Sequence, residues 1–445
     1  MRIAAAKLLP PPPPPRASAR RRAYTRVRLS SVLGALLLLL LQAAGTARAD
    51  TLRVGAGAHS DPAIAFLEHK VQADPEDVVA LNMLVGRYLD HLRDGGDDRD
   101  LQRAQAHAKR SLEVLHGNVN PAGAAAQISV DQAAHRFEQA RAGAAALVQA
   151  LPGKSGPHKQ LGDALLELGR EAEAADAFAR ARAIEGSTVD TESRAARLAI
   201  VRGQTAQARR HLQSALTLAT TMSLPSPELI AWCFVQLGQF DFSHGNWVAA
   251  AANYKRALKA QPTSLLASEH LAELAAAKGD YSHAIAAYRD VLSRSARPEF
   301  RQALGDMYRY AKQPEQAARW YAEALAGYMV SINAGHVHYQ HHLAGFFTDS
   351  QPDGAAAVRW AKADLALRKS GAAYDAYAWA LYTHGRFGEA DAAARKALAT
   401  GTQDAHVLYH AGLIATRAGD IARGAAMLRR ALKSNPRYNS FHVHR

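Results

Sequence analysis

Apolar positions in this chain recur at steps of three and four, the interval that keeps side chains on one face of a helix, in most units with a glycine between successive runs. The clearest stretch reads Leu161-Gly162, Gly169, Ala174, Phe178, Ala181. The same order returns as Leu237-Gly238, Gly245, Ala250, Tyr254, Ala257, Pro262 and as Leu271-Ala272, Gly279, Ala284, Tyr288, Pro298. Leu304-Gly305, Tyr308, Ala317, Tyr321, Ala324 and Leu343-Ala344, Phe347, Ala356, Trp360, Ala363 follow. Weaker copies are Ala195-Ala196 with Gly203, Ala208, Leu212 and Ala215, then Tyr377-Ala378 with Gly385, Ala390 and Ala397, and last Ala411-Gly412 with Gly419, Leu428, Ala431 and Pro436. Each stretch predicts two helices joined by a tight turn.

The second small residue of each copy falls at 162, 196, 238, 272, 305, 344, 378 and 412, so the steps are 34, 42, 34, 33, 39, 34 and 34. Self-similarity at a fixed period marks an internal repeat. The two long steps predict insertions near 217–227 and 329–337. Within a unit, the leucine and the small residue share a face of the first helix, and a small side chain there lets a neighbouring helix approach closely. The alanine, aromatic and alanine share a face of the second. Glycine supplies the backbone freedom to reverse direction, and Pro262 and Pro436 stop the second helix. One hairpin cannot bury its apolar stripe alone, so neighbours stack. The aromatics at 178, 254, 288, 321 and 360 are core positions in this reading.

These motifs resemble the tetratricopeptide repeat, a helix–turn–helix unit of this length, over residues 153–437 in about eight copies. The resemblance implies an all-α fold, an α-solenoid of stacked repeats forming a right-handed superhelix with an open groove. Most copies lack the aromatic at the start of the first helix, and the last has Gly424 where alanine is usual. Upstream the pattern is weaker. Leu81, Leu84, Val85, Tyr88 and Leu89, then Ala104, Ala108 and Leu112, predict a hairpin interrupted by the polar insert Arg93-Asp94-Gly95-Gly96-Asp97-Asp98, and residues 127–150 predict another alanine-rich helix with Phe137. Residues 50–152 are therefore expected to be a helical cap of degenerate repeats, and 438–445 a tail.

The first 49 residues read as an export signal. Six prolines at 10–15 and the basic stretch Arg16 to Arg28 precede the apolar run from Val32 to Leu41. The run ends near Ala44, short of the roughly 20 residues needed to span a bilayer. Ala47-Arg48-Ala49 places small residues where signal peptidase requires them, so cleavage is expected after Ala49. The protein is then an exported bacterial repeat protein, periplasmic or secreted, touching a membrane only through this segment where it stays uncleaved.

Composition narrows the function classes. With 48% apolar and 21% charged residues the chain is not mainly disordered, and 7% aromatics amid abundant alanine favour close-packed helices. A single cysteine, Cys233 in the apolar run Ile230 to Val235, excludes a disulfide scaffold or a cysteine metal cage and is expected as a buried thiol. The net charge of +14 suggests nucleic acid at first sight, but residues 1–49 hold nine basic and no acidic residues. The remainder carries 45 basic against 40 acidic residues, a balance of +5, so no nucleic-acid partner is expected.

No phosphate-binding loop, Gly-x-Ser-x-Gly elbow or His-Glu-x-x-His helix occurs, so no catalysis and no cofactor are expected. Histidine is unusual at 20 copies, four of them in His336-Val337-His338-Tyr339-Gln340-His341-His342. On a helix, His338 and His342 stand four apart and could hold zinc or copper from one face, with Asp349 as a further ligand. Contact with a partner, or no role, are the other readings of this cluster, and the tail adds His442 and His444. Carried over residue by residue, the resemblance implies a concave groove that includes Trp232, Phe242, Arg309, His338, His341, Trp379, Tyr382, His406, Tyr409 and Arg417. The Lys-Asn-Arg set with which related repeats grip a carboxyl terminus is absent, since Asp163 stands where the asparagine belongs beside Lys159. The expected function is a scaffold or adaptor that binds a protein or peptide through this groove. A histidine-based metal-handling protein is the alternative. An enzyme built on a closed helical ring is a third reading, opposed by the open superhelix that the 34-residue steps predict.

Overall fold

The structure, a computed structural model, describes residues 61–438, so the export segment and the last histidines lie outside the described residues. The described residues are helical throughout and contain no strand. Helix α1 (Pro62–Ala73) stands before ten hairpins. Helices α2 (Val78–Arg93) and α3 (Asp98–Val114) form the first, and α4 (Pro121–Ala133) with α5 (Phe137–Ala150) the second. Next come α6 (Ser155–Glu167) with α7 (Glu171–Glu185), α8 (Val189–Val201) with α9 (Thr205–Thr221), and α10 (Pro227–Ser243) with α11 (Trp247–Ala260). Then follow α12 (Leu265–Ala277) with α13 (Tyr281–Arg294), and α14 (Pro298–Tyr310) with α15 (Pro314–Asn333). Short α16 (Gln340–Gly345) runs on as a π-helical turn, Phe346–Ser350, and pairs with α17 (Gly354–Leu367). The last hairpins are α18 (Gly371–Thr383) with α19 (Phe387–Leu398) and α20 (Ala405–Arg417) with α21 (Ile421–Ser434). The chain is an α-solenoid of stacked helical hairpins.

Local chemistry sets the ends. Asp77, Asn120, Ser226, Ser264, Ser370 and Asp404 each cap the helix that follows by accepting from an amide of its first turn. Most turns inside a hairpin place a glycine at positive φ, but His135 (φ 56°) and Lys312 (φ 59°) hold that position between α4 and α5 and between α14 and α15. A non-glycine residue there is strained by roughly 1–2 kcal/mol.

The repeated small residue has a specific partner. At Gly162, Gly238 and Gly305 an added Cβ would lie 2.3, 2.3 and 2.6 Å from the ring of Phe178, Tyr254 and Tyr321. Each glycine thus seats the aromatic of the second helix of its own hairpin. Phe178, Tyr254, Tyr288 and Tyr321 are buried as the pattern requires, whereas Trp360 is half-buried at the edge of the largest apolar cluster. Cys233 is buried, which pushes its thiol up to about 12.

The long steps come from extended second helices. Helix α9 runs on to Thr221, and α15 to Asn333, each followed by a loop. The second loop corrects one expectation. Helix α16 begins only at Gln340, so His338 lies in the turn before it and shares no helical face with His342.

Successive turns of the solenoid touch. The Lys369 amide donates to the Glu167 carbonyl at 3.1 Å, joining the α6–α7 turn to the α17–α18 loop five hairpins later. Gly203 in the α8–α9 turn packs on Gly401 and Gln403, and Gly245 in the α10–α11 turn packs on Asn435 and Pro436. Asp98 at the start of α3 meets His338 at 3.0 Å. The winding is therefore tight enough to close one turn on the next, in place of the open trough expected from repeat length alone.

Candidate functional site: the cavity between turns

This winding encloses a cavity of about 480 Å³. Its walls are first helices of hairpins: α6 and α8 on one turn, and α14, α16, α18 and α20 on the next. On the α18–α20 wall the indole of Trp379 lies flat on the His410 imidazole, with ring centres 4.0 Å apart and planes 4° apart. Trp379 donates its Nε1–H to Asp349 at 3.1 Å. His410 Nδ1 lies 3.1 Å from Asp375 Oδ2, and His406 Nε2 lies 3.8 Å from the same carboxylate. His406 Nδ1 meets the Tyr438 hydroxyl at 3.1 Å, and the Tyr409 ring packs against Tyr438 at 4.8 Å.

On the α14 wall Asp306 is buried and accepts from Tyr321 Oη at 2.7 Å, Ser350 Oγ at 3.0 Å and Arg309 at 3.3 Å. Burial pushes its carboxyl up to about 6 against the pull of these donors. The π-helical turn after α16 matters here, since it carries Asp349 and Ser350 into the cavity.

Two further hollows adjoin. One of about 600 Å³ is lined by Trp232, Gln236, Asp163, Asp190 and Arg194, and shares Glu167, Arg197 and Arg368 with the first. Glu167 is held there by both arginines. Lys159 is taken up by Glu185 at 3.1 Å and Asp190 at 2.7 Å, and Asp163 by Arg194 at 2.8 Å. The other hollow, about 300 Å³, is lined by His135, Arg136, Phe137, His336 and His338. His135 and His341 stack with ring centres 5.5 Å apart. Burial, reinforced by Arg368, lowers His135 to about 3 and drives His341 well below the ordinary imidazole range.

The ten expected groove residues thus fall into three groups. Arg309, His341, Trp379, His406 and Tyr409 line the main cavity, while Trp232 and His338 line the two adjoining hollows. Phe242, Tyr382 and Arg417 line none of the three. Phe242 stacks on Trp247, Tyr382 on Trp379, and the Arg417 guanidinium over Phe387 at 5.1 Å. They sit near the ends of their helices, Phe242 and Tyr382 half-buried against a neighbouring ring and Arg417 exposed. Sequence reasoning missed Asp375 and His410, although the four-residue spacing of His406 and His410 was visible in α20. The pairing with Asp375 on α18 was not.

The tetratricopeptide repeat family matches residues 235–299 and 376–439. The second segment contains Trp379, His406, Tyr409 and His410, so one wall of the main cavity lies largely in a segment that matches the family. No curated protein matches the chain. Among solved structures, a human IFIT1 dimer with PPP-AAAA is similar at 14% identity and a TM-score of 0.42, over 84% of this chain and 94% of that one. A tetratricopeptide repeat protein from Parabacteroides merdae is similar at 16% identity and a TM-score of 0.34, over 57% and 94%. The yeast Tom70 is similar at 13% identity and a TM-score of 0.36, over 79% and 91%. Among the described residues no helix is long and apolar enough to cross a membrane.

Proposed function

We propose that the chain is an exported bacterial scaffold that takes a segment of a partner protein into the cavity between its turns. The observation that carries this reading is the lining of that cavity. Trp379, Tyr409 and Tyr310 offer large rigid surfaces, and Arg309, His342 and Thr348 add polar groups beside them. Aromatic anchors amid a few polar groups suit an extended or helical peptide. The strongest charges are already compensated, Asp306 by Arg309 and Glu167 by Arg197 and Arg368, so the cavity favours an occupant of mixed character over a highly charged one. Nucleic acid fits poorly with a balance of only +5 over residues 50–445. No reaction is part of this reading. Export is argued from the leader sequence, and partner binding would then take place outside the cytoplasm.

A displayed peptide library panned against purified residues 50–445 tests the binding. Enriched peptides should bind the intact protein and lose affinity roughly tenfold or more on Trp379→Ala, the loss typical of a buried aromatic anchor. Failure to enrich any peptide, or binding indifferent to Trp379→Ala and Tyr409→Ala, would remove the proposal. N-terminal sequencing of the protein from cell fractions tests export separately: the mature chain should begin at Asp50 and be absent from the cytoplasm.

A further inference from the structure

We infer that Asp375, His406 and His410 form a binding site for a zinc-class divalent cation. The two histidines stand four residues apart on α20, one above the other on a single helical face. Asp375 on α18 faces them both. One donor atom from each of the three residues lies within 4.8 Å of the other two. The carboxylate Oδ2 is 3.1 Å from His410 Nδ1 and 3.8 Å from His406 Nε2. Ligands about 2.0–2.1 Å from a tetrahedral zinc are separated by roughly 3.3 Å, so the donors need only small shifts to share one ion.

The surroundings fit a metal site beyond these three groups. Tyr438 Oη engages the other nitrogen of His406 at 3.1 Å, the outer contact that fixes the orientation of a ligating imidazole. Trp379 lies flat against His410 and holds its ring plane. Two more carboxylates, Asp349 and Asp404, line the same cavity and favour a cation. Three protein ligands leave a coordination position for water or for a group on an occupant, and all three residues line the cavity from which that position is reached. Two imidazoles with one carboxylate suit zinc among the abundant divalent ions, whereas magnesium and calcium require oxygen-rich sets.

Two other clusters of similar composition are weaker. Near His135 and His341, Asp364 is already bound by the Arg368 guanidinium at 3.0 Å, and that cation faces both imidazoles. His270 lies inside the hairpin stack, held between Glu269 at 3.2 Å and Glu273 at 2.9 Å, and lines none of the three hollows. Against the burial that lowers it, the two carboxylates raise His270 above the ordinary imidazole range, so the protonated ring already supplies the positive charge that an ion would bring.

Zinc alone is the probe. The full chain, stripped with a chelator and titrated with Zn²⁺ by calorimetry, should bind one equivalent. Cobalt(II) in its place should give the visible absorption of a low-coordinate nitrogen–oxygen site. The variant His406→Ala/His410→Ala should abolish both signals, and Asp375→Asn, which keeps the side-chain shape, should weaken binding. Tyr438→Phe should cost about 10- to 100-fold in affinity, the usual effect of losing an outer contact. His336→Ala/His338→Ala, in the separate hollow, should leave zinc binding intact. Circular dichroism verifies that each variant is folded, and Asp375→Asn decides the matter should the double variant not fold. The proposal is overturned by the absence of stoichiometric uptake, by uptake unchanged in Asp375→Asn, or by loss of the signal only in His135→Ala/His341→Ala. In the first case the three groups are simply an ion-paired contact between α18 and α20. Peptide binding that survives zinc removal would leave the scaffold reading standing on its own.

Discussion

The Lys369 amide and the Glu167 carbonyl are hydrogen-bonded at 3.1 Å although five hairpins separate them. This contact places the α17–α18 loop against the α6–α7 turn, and it brings the walls of the main cavity together. Next to it, Gly169 has φ 71° and its absent Cβ would stand 2.2 Å from the Lys369 carbonyl oxygen.

Gly169→Ala should therefore separate the cost of a strained turn from the cost of opening the contact between turns. Gly279 has a similar φ of 81°, but nothing lies within 4 Å of its Cβ position. Gly279→Ala should lose roughly 1–2 kcal/mol from the left-handed backbone alone. Gly169→Ala should lose more, because a backbone carbonyl must also move. Urea unfolding of both variants measures the difference, and equal losses would mean that the turns separate at little cost.

Gly238→Ala tests the seat of the repeated aromatic. In an exposed helix the substitution would gain about 1 kcal/mol. Here the new methyl would meet the buried ring of Tyr254 at 2.3 Å. Overpacking of this kind costs about 1–3 kcal/mol, so a net loss is expected. A stabilised Gly238→Ala protein would show that the two helices part freely.

Asp306 should impose a pH dependence opposite to that of an ordinary paired carboxylate. Its folded value of about 6 lies above the ordinary 3.8 because burial penalises the charged form. The folded protein thus holds a proton that the unfolded chain has released, and this contribution to stability is lost as pH rises from about 4 to about 6. The limit of the effect is about 3 kcal/mol. Asp306→Asn should remove this slope. Denaturation curves for both proteins across that range would give parallel pH profiles if the carboxyl titrates normally.

His135 should act on the acid side with the reverse sign. Burial first, then Arg368, lowers its folded value to about 3 from the ordinary 6.5. Stability present above pH 6.5 is therefore lost as pH falls toward 3, by up to a few kcal/mol. Asparagine tolerates the positive φ at this position and does not titrate. His135→Asn should gain on the parent protein as pH is lowered from about 6.5 to about 4, read as the shift in melting temperature. A constant difference across that range would contradict the assignment.

The sequence by itself determined the hairpin and its interior. Steps near 34 residues, the small residue of the first helix and the aromatic of the second are all local, and the glycine–ring contacts at 162, 238 and 305 follow from them. Five of the ten expected groove residues reach the main cavity because a helical face is fixed by residue spacing. What only the tertiary structure decided lies between turns. Each hairpin rotates slightly against its neighbour, and the small angles add over five or six units before one edge meets another. No single spacing encodes that sum, so the contact of Glu167 with Lys369 and that of Asp98 with His338 were invisible in the chain. The same holds on a smaller scale for Asp375, whose position beside His406 and His410 depends on how far α18 and α20 are turned toward each other.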